Sequence, residues 1–131
     1  MKHGTGSFLW ADGSSFKGSF FENKIEGKGK YHWSNGRKYS GEWSNNKMHG
    51  VGVYKWPDGK VYEGSFAVGE KEGYGEMISE GKRYSGNWKK NVPHGEGRVV
   101  LATGKEMFGE WIEGRRVRWR RPSKPLQNPH L

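Results

Sequence analysis

Apolar and polar residues alternate in short stretches along this chain, and small turn-forming residues separate the stretches. Tyr39, Gly41 and Trp43 alternate with Ser40 and Glu42; Gly50, Gly52, Tyr54 and Trp56 alternate with Val51, Val53 and Lys55. A period of two belongs to the β-strand, whose successive side chains leave on opposite sides. The two stretches predict two strands, with rings and glycines on one face and Ser40, Glu42, Val51, Val53 and Lys55 on the other. Between them lies Asn46, and after the second comes Asp58-Gly59. Asn and Gly enter the left-handed region most cheaply, and Asp-Gly is a strong hairpin signal. Two turns per unit leave room for two strands of about five to seven residues. Each unit is predicted to be a β-hairpin, in an all-β chain.

The unit recurs. Phe16, Tyr39, Tyr62, Tyr84 and Met107 open matching segments, spaced 23, 23, 22 and 23 residues apart. A Gly-x-Gly follows at Gly27/Gly29, Gly50/Gly52, Gly73/Gly75 and Gly95/Gly97, and Gly4/Gly6 opens the chain as a half repeat. The residue missing from the 22-residue interval lies between Gly73 and Gly81. One turn slot holds Asn23, Asn46, Gly69, Asn91 and Gly114; the other holds Gly13, Gly36, Gly59, Gly81 and Gly104. A fixed period of this length is the mark of a repeat architecture, in which each unit buries its face against its neighbours.

Composition sharpens the question of what such a sheet buries. Leu, Ile, Val and Phe number only 21 of 131 residues, which with a net charge of +9 would ordinarily indicate disorder. Against that, the 22 glycines are regularly placed, and 15 of the 19 aromatics fall in repeating slots. A glycine in a strand leaves a gap that a ring can cover. Rings over the glycines of neighbouring strands are therefore expected to form a thin aromatic layer in place of an aliphatic core.

The unit Tyr-x-Gly-x-Trp-x-x-Asn-x-x-His-Gly-x-Gly-x-Tyr-x-Trp-Pro-Asp-Gly, fullest at Tyr39 to Gly59, resembles the MORN (membrane occupation and recognition nexus) repeat. The resemblance covers roughly residues 1–117, with repeats from 16, 39, 62 and 84 and a degenerate one from 107. It departs at Phe16, Phe20 and Phe66 for Tyr or Trp, at Met107 for Tyr, and at Glu26 and Glu72 for His. It implies an elongated, twisted, single-layer antiparallel sheet of tandem hairpins, an open solenoid-like array. At about 4.8 Å per strand the body is expected to be on the order of 50–55 Å long.

The two ends are expected to differ. The first strand of a repeat is missing before Gly4-x-Gly6, which leaves either an edge for pairing end to end with a second copy or one blunted by Lys2 and twist. At the other end, residues 118–131 are set apart as a basic, proline-containing cap or tail. Residues 115–131 carry six Lys/Arg and no acid, whereas residues 1–114 balance 17 against 14. Register is expected to place Arg118 and Arg120 in glycine slots, where charge would end the stacking. Arg115, Arg116, Arg118, Trp119, Arg120 and Arg121 then make either a polar cap or a basic docking strand. Pro122, Pro125 and Pro129 predict an extended tail.

The candidate chemistry is that of binding. His3, His49 and His94 share one slot of alternate repeats, about 20 Å apart by strand spacing, too far to share a metal ion. They are expected to support turns. Glu42, Glu63 and Glu110 have no pocket in which to converge for acid–base work, and the Gly-x-Gly pairs precede no helix. No enzyme activity, metal or cofactor is expected. The absence of cysteine and of a long apolar segment fits a cytoplasmic protein.

The aromatic stripe admits two readings, core alone or core plus a groove for a peptide or amphipathic helix. The groove would be lined by Tyr39, Trp43, Tyr54, Trp56, Tyr62, Phe66, Tyr84, Trp88 and Trp111, and losing Trp43 with Trp88 would abolish binding in a folded array. The resemblance implies a protein partner of the cytoskeleton, cilium or flagellum. The alternative it implies is attachment to an anionic phospholipid surface through the repeats and the basic tail. Nucleic acid is not an expected partner.

Overall fold

The computed structural model describes residues 3–120. Its strands are β1 (Gly4–Leu9), β2 (Ser15–Phe21), β3 (Lys24–His32), β4 (Lys38–Ser44), β5 (Lys47–Lys55), β6 (Val61–Ala67), β7 (Glu70–Ser79), β8 (Lys82–Lys89), β9 (Val92–Val100), β10 (Glu106–Ile112) and β11 (Arg115–Arg120). All eleven form one open antiparallel sheet in sequence order, from β1 at one edge to β11 at the other. Ten steps of about 4.8 Å make it on the order of 50 Å across. Arg121 and residues 122–131, the expected tail, lie outside the described residues.

Two kinds of turn alternate. Glu22-Asn23, Asn45-Asn46, Val68-Gly69, Lys90-Asn91 and Glu113-Gly114 have positive φ at both residues, as a two-residue hairpin turn of primed type requires. The second kind is longer. At Trp56–Lys60 the Trp56 N–H donates to the Lys60 carbonyl (3.0 Å) and the Gly59 N–H to the Trp56 carbonyl (3.1 Å). Gly59 sits at φ 97°, which an L side chain resists. Between β7 and β8 this loop is one residue short, so Ser79 pairs with Lys82 across Glu80-Gly81 alone. That is where the 22-residue interval loses its residue.

The Gly-x-Gly pairs divide their work, a correction to the shared face expected for Gly50 and Gly52. Gly41 pairs with Gly52, but Trp43 pairs with Met48, so β5 carries two extra residues around Gly50. Gly50 has φ 75°, and a methyl placed on it would strike the Glu42 carboxylate on the face opposite the rings. A methyl on Gly52 would instead overlap the Tyr39 ring. The bulge also lengthens β3, β5, β7 and β9 to nine or ten residues, beyond the expected five to seven.

Rings over glycines form the core as expected. Phe16 covers Gly29, Tyr39 covers Gly52, Tyr62 covers Gly75 and Tyr84 covers Gly97. Each ring meets the Trp or Phe four residues on and the equivalent ring of the next repeat edge to face. The chain of contacts runs Phe16–Trp43 (5.7 Å), Trp43–Tyr39 (5.1 Å), Tyr39–Phe66 (5.2 Å), Phe66–Tyr62 (5.1 Å), Tyr62–Trp88 (5.2 Å), Trp88–Tyr84 (5.4 Å) and Tyr84–Trp111 (4.9 Å). Interplanar angles of 76–89° set positive ring edges against negative faces. The polar atoms are satisfied locally: Tyr39 and Tyr62 hydroxyls donate to the Glu42 and Ser65 carbonyls (2.9 Å each), and Trp43 and Trp88 Nε1–H to those of Gly29 and Gly75 (3.1 Å each). Burial pushes the Tyr39 and Tyr84 hydroxyls up to about 12, as expected of phenols removed from water.

Hydrogen bonds at the tight turns join one repeat to the next. The Asn46 N–H donates to the Ile25 carbonyl (3.1 Å), and the Asn46 side chain accepts the Ile25 N–H (2.8 Å); Asn91 does the same with Lys71. Gly69, in the same slot, has only the backbone half, to the Met48 carbonyl (2.9 Å). Gly69→Asn should add the missing bond from the Met48 N–H at a φ that Asn tolerates. A gain of about 1 kcal/mol is expected, read as a higher urea midpoint at unchanged slope; a lower midpoint would refute the link. The His or Glu slot does similar work. His3 and His94 Nδ1 accept the Glu22 and Glu113 N–H (3.2 and 3.3 Å), and Glu26 and Glu72 accept those of Asn45 and Lys90 (2.7 and 3.0 Å). His3 and His94 thus support turns as expected.

The last hairpin corrects the expected register. Gly109 lies opposite Trp119, with Glu110 opposite Arg118, so Arg118 and Arg120 are not in the ring layer. The bulge that Gly50 makes in β5 needs a left-handed residue, and β11 offers Arg118 at that position, where a long side chain is unfavourable. β11 therefore carries one extra residue rather than two, and a one-residue difference exchanges the faces of a strand. Stacking ends on a ring, Trp119, edge-on to Trp111 at 6.1 Å and covered by the Arg116 guanidinium at 4.3 Å. The sheet thus runs through Arg120, across the boundary drawn at 117.

Candidate partner-binding faces

The ring side of the sheet has two rows, which simple alternation does not separate. The inner row, from the first strand of each repeat, is the core. Tyr39 and Tyr62 are wholly buried, and Trp43, Phe66, Trp88 and Trp111 are no more than 8% exposed. These six cannot line an accessible groove, and the array cannot be expected to stay folded without Trp43 and Trp88. Tyr84 is half-buried over Gly97.

Tyr54 and Trp56 belong to an outer row. Their partners there are Trp10, Tyr31 and Trp33, which occupy the same slots in earlier repeats and were absent from the expected groove. The row is continuous: Trp10–Tyr31 (5.5 Å), Tyr31–Trp33 (4.6 Å), Trp33–Tyr54 (5.4 Å) and Tyr54–Trp56 (4.6 Å). Trp10 is 38% exposed and the other four are half-buried. Tyrosines close β3 and β5, and the tryptophans open the longer turns, so both project beside the inner row. The row stops after Trp56, because Met77 and the shortened turn at Ser79 take the next places.

The opposite face is divided by charge. On β2 to β5 it carries Lys17, Lys28, Lys30, Lys38 and Lys55, with Lys17 opposite Lys30 and Lys38 opposite Lys55. These lysines make no ion pair among the described residues. From β7 onward the same face neutralises itself through Arg83–Glu76 (3.7 Å), Arg98–Glu106 (3.0 Å), Arg118–Glu110 (3.2 Å) and Arg120 with Glu96 and Glu110. Exposed pairs of this kind add little stability but cancel the local field. Of the expected basic strand, Arg115 and Arg116 make no ion pair among the described residues, whereas Arg118 and Arg120 are paired.

The MORN repeat family matches residues 1–15, 16–36, 39–61, 62–81 and 84–106, and these segments are the half repeat and four hairpin units built above. The chain belongs to the MORN repeat family. MORN repeats are generally non-enzymatic modules that bind proteins or membrane lipids. In this MORN array the hairpin from Met107 extends the same sheet beyond the matched residues. No curated protein matches the chain. Among the described residues no group of three or more His, Asp or Glu side chains is placed to hold a metal ion.

Proposed function

We propose that this MORN array is a non-enzymatic scaffold that docks an apolar peptide or amphipathic helix of a protein partner along Trp10, Tyr31, Trp33, Tyr54 and Trp56. One observation carries the reading: five contiguous rings remain accessible beside a core whose inner edge-to-face chain runs on without them. Rings of this kind give large contact area at little cost in side-chain entropy, and Trp and Tyr dominate binding energy where they cluster. The likeness to MORN-rich proteins of cilia, flagella and the cortical cytoskeleton supports a cytoplasmic partner of that kind.

The test uses peptides selected on the full chain from a displayed random dodecapeptide library. Changing Trp33 and Trp56 together to alanine should weaken their binding by about a hundredfold, two hot-spot rings being lost. Far-UV circular dichroism should show the sheet retained, and the unfolding midpoint should fall less than on loss of an inner-row ring, since both rings are half-buried beside the inner chain. Equal binding by the double variant, or no selectable peptide, would defeat the proposal.

A second reading, peripheral attachment to anionic phospholipid, is favoured by the unpaired lysines of β2 to β5. Each lysine near a charged leaflet contributes roughly 1 kcal/mol. Sedimentation with phosphoinositide vesicles that survives Trp33→Ala/Trp56→Ala but not Lys17→Ala/Lys30→Ala would establish it as a separate face.

A further inference from the structure

Where the outer row ends, the ring side gathers three cations. A hollow of about 220 Å³ opens after Trp56, lined by Arg37, Met48, Tyr54, Trp56, Lys71 and Asn91 among others. Lys71 pairs with Phe66 across β6 and β7, so its side chain enters the ring side. Its ammonium stands 5.4 Å from the Trp56 centroid and 5.7 Å from those of Tyr62 and Trp88. The Lys60 ammonium approaches the same Trp56 ring at 5.5 Å. Burial, then the charges of Lys60 and Arg37, holds the Lys71 ammonium below the ordinary lysine range.

Ring faces attract a cation, but they do not cancel repulsion among three. The nearby acids form no ion pair with these cations among the described residues. Glu72 accepts the Lys90 N–H (3.0 Å), Asp58 accepts the Lys60 N–H (3.0 Å), and Glu70 alternates to the opposite face of β7 with Ala67. Among the described residues Arg37, Lys60 and Lys71 make no ion pair, whereas Arg83, Arg98, Arg118 and Arg120 each find a carboxylate. A partly desolvated cation cluster without a counter-charge favours an anion brought by something else.

We propose that this hollow receives the carboxylate of an Asp or Glu side chain belonging to the segment docked on the outer row. The recognised segment is then apolar along Trp10 to Tyr54 and acidic at its Trp56 end, which fixes its direction on the sheet. This inference rests on the docking reading above. A protein segment fits better than a lipid surface. The site continues directly into a row of rings suited to apolar side chains, and the turns beside that row expose Asp12 and Asp58. Those acids repel a broad anionic plane but leave room for one side chain.

The test compares library selections on the full chain and on Lys71→Met, which keeps the hydrocarbon stem and removes the charge. Peptides selected on the native chain should share an acidic residue beside an apolar stretch. Changing that residue to its amide should weaken binding about tenfold or more, as for loss of a charge-assisted hydrogen bond. The same peptides should lose as much on Lys71→Met, and on Arg37→Gln/Lys60→Gln, where Arg37 is exposed, Lys60 is half-buried and neither belongs to the inner ring chain. On Lys71→Met the apolar preference should persist and the acidic one vanish. Selected peptides without an acid, or an acidic preference that both variants retain, would overturn the inference and leave the docking row standing. No selectable peptide would overturn both. Binding to phosphoinositide vesicles that depends on Lys71 would reassign the hollow to a lipid headgroup and refute it.

Discussion

Trp88→Ala is expected to cost about 3–5 kcal/mol, the usual penalty for emptying a buried aromatic site. The ring is 6% exposed and wedged edge to face between Tyr62 (5.2 Å) and Tyr84 (5.4 Å), and its Nε1–H holds the Gly75 carbonyl (3.1 Å). Two of those contacts, to Tyr62 and to Gly75, join consecutive repeats. In an array where each unit touches only its neighbours, the loss is local but divides the array. Repeats up to β7 keep their own ring contacts, and β8 to β11 stay joined to β7 by the backbone ladder but lose the ring contacts of Trp88 across it. Urea unfolding should therefore change from a single transition, coincident by tryptophan fluorescence and circular dichroism, to two transitions that the probes no longer share. A cost below about 1 kcal/mol, as for an ordinary surface change, would mean that the inner rings are not the core.

Gly52→Ala should be nearly as damaging although it adds only one methyl group. Its backbone is outside the left-handed region, so alanine could adopt the conformation without strain. The obstacle is Tyr39. That ring is wholly buried, is held through its hydroxyl to the Glu42 carbonyl (2.9 Å), and occupies the space a Cβ would need. Overpacking of this kind typically costs about 1–3 kcal/mol, and a ring with nowhere to move belongs at the upper end. Gly6 is the internal control. It takes the same position in the half repeat, where nothing lies within 4 Å of a Cβ and φ is not left-handed. Gly6→Ala should leave the melting temperature unchanged or raise it slightly, by removing freedom from the unfolded chain. If the two variants melt alike, rings over glycines are not what holds this sheet together.

Much of this was legible along the chain because the governing interactions repeat with it. The period from Phe16 to Met107 marks the hairpins, the Asn/Gly and Asp-Gly slots mark the turns, and alternation through Tyr39, Gly41 and Trp43 marks the ring face. Three features were not legible in that way. Alternation puts Tyr39 and Tyr54 on one face and is silent about which is covered; neighbours on both sides bury Tyr39, whereas Tyr54 stands beside a turn. Gly50 and Gly52 look equivalent in sequence, yet one bends the strand and the other lies under a ring. The charged hollow joins Arg37, Lys60 and Lys71 from different hairpins, and no local pattern relates them.

The hairpins, their turns and the ring-over-glycine core followed from the amino-acid sequence alone, because each rests on contacts that a fixed period encodes, and the single-layer order of the strands was implied by the resemblance to MORN arrays. Only the tertiary structure decided which rings remain open to a partner, which face each arginine of β11 takes, and where positive charge goes unpaired. Those outcomes depend on the φ of single bulge residues and on side chains brought together across hairpins. One residue more or less in a bulge exchanges the faces of a whole strand, and no count of residue types along the chain records that.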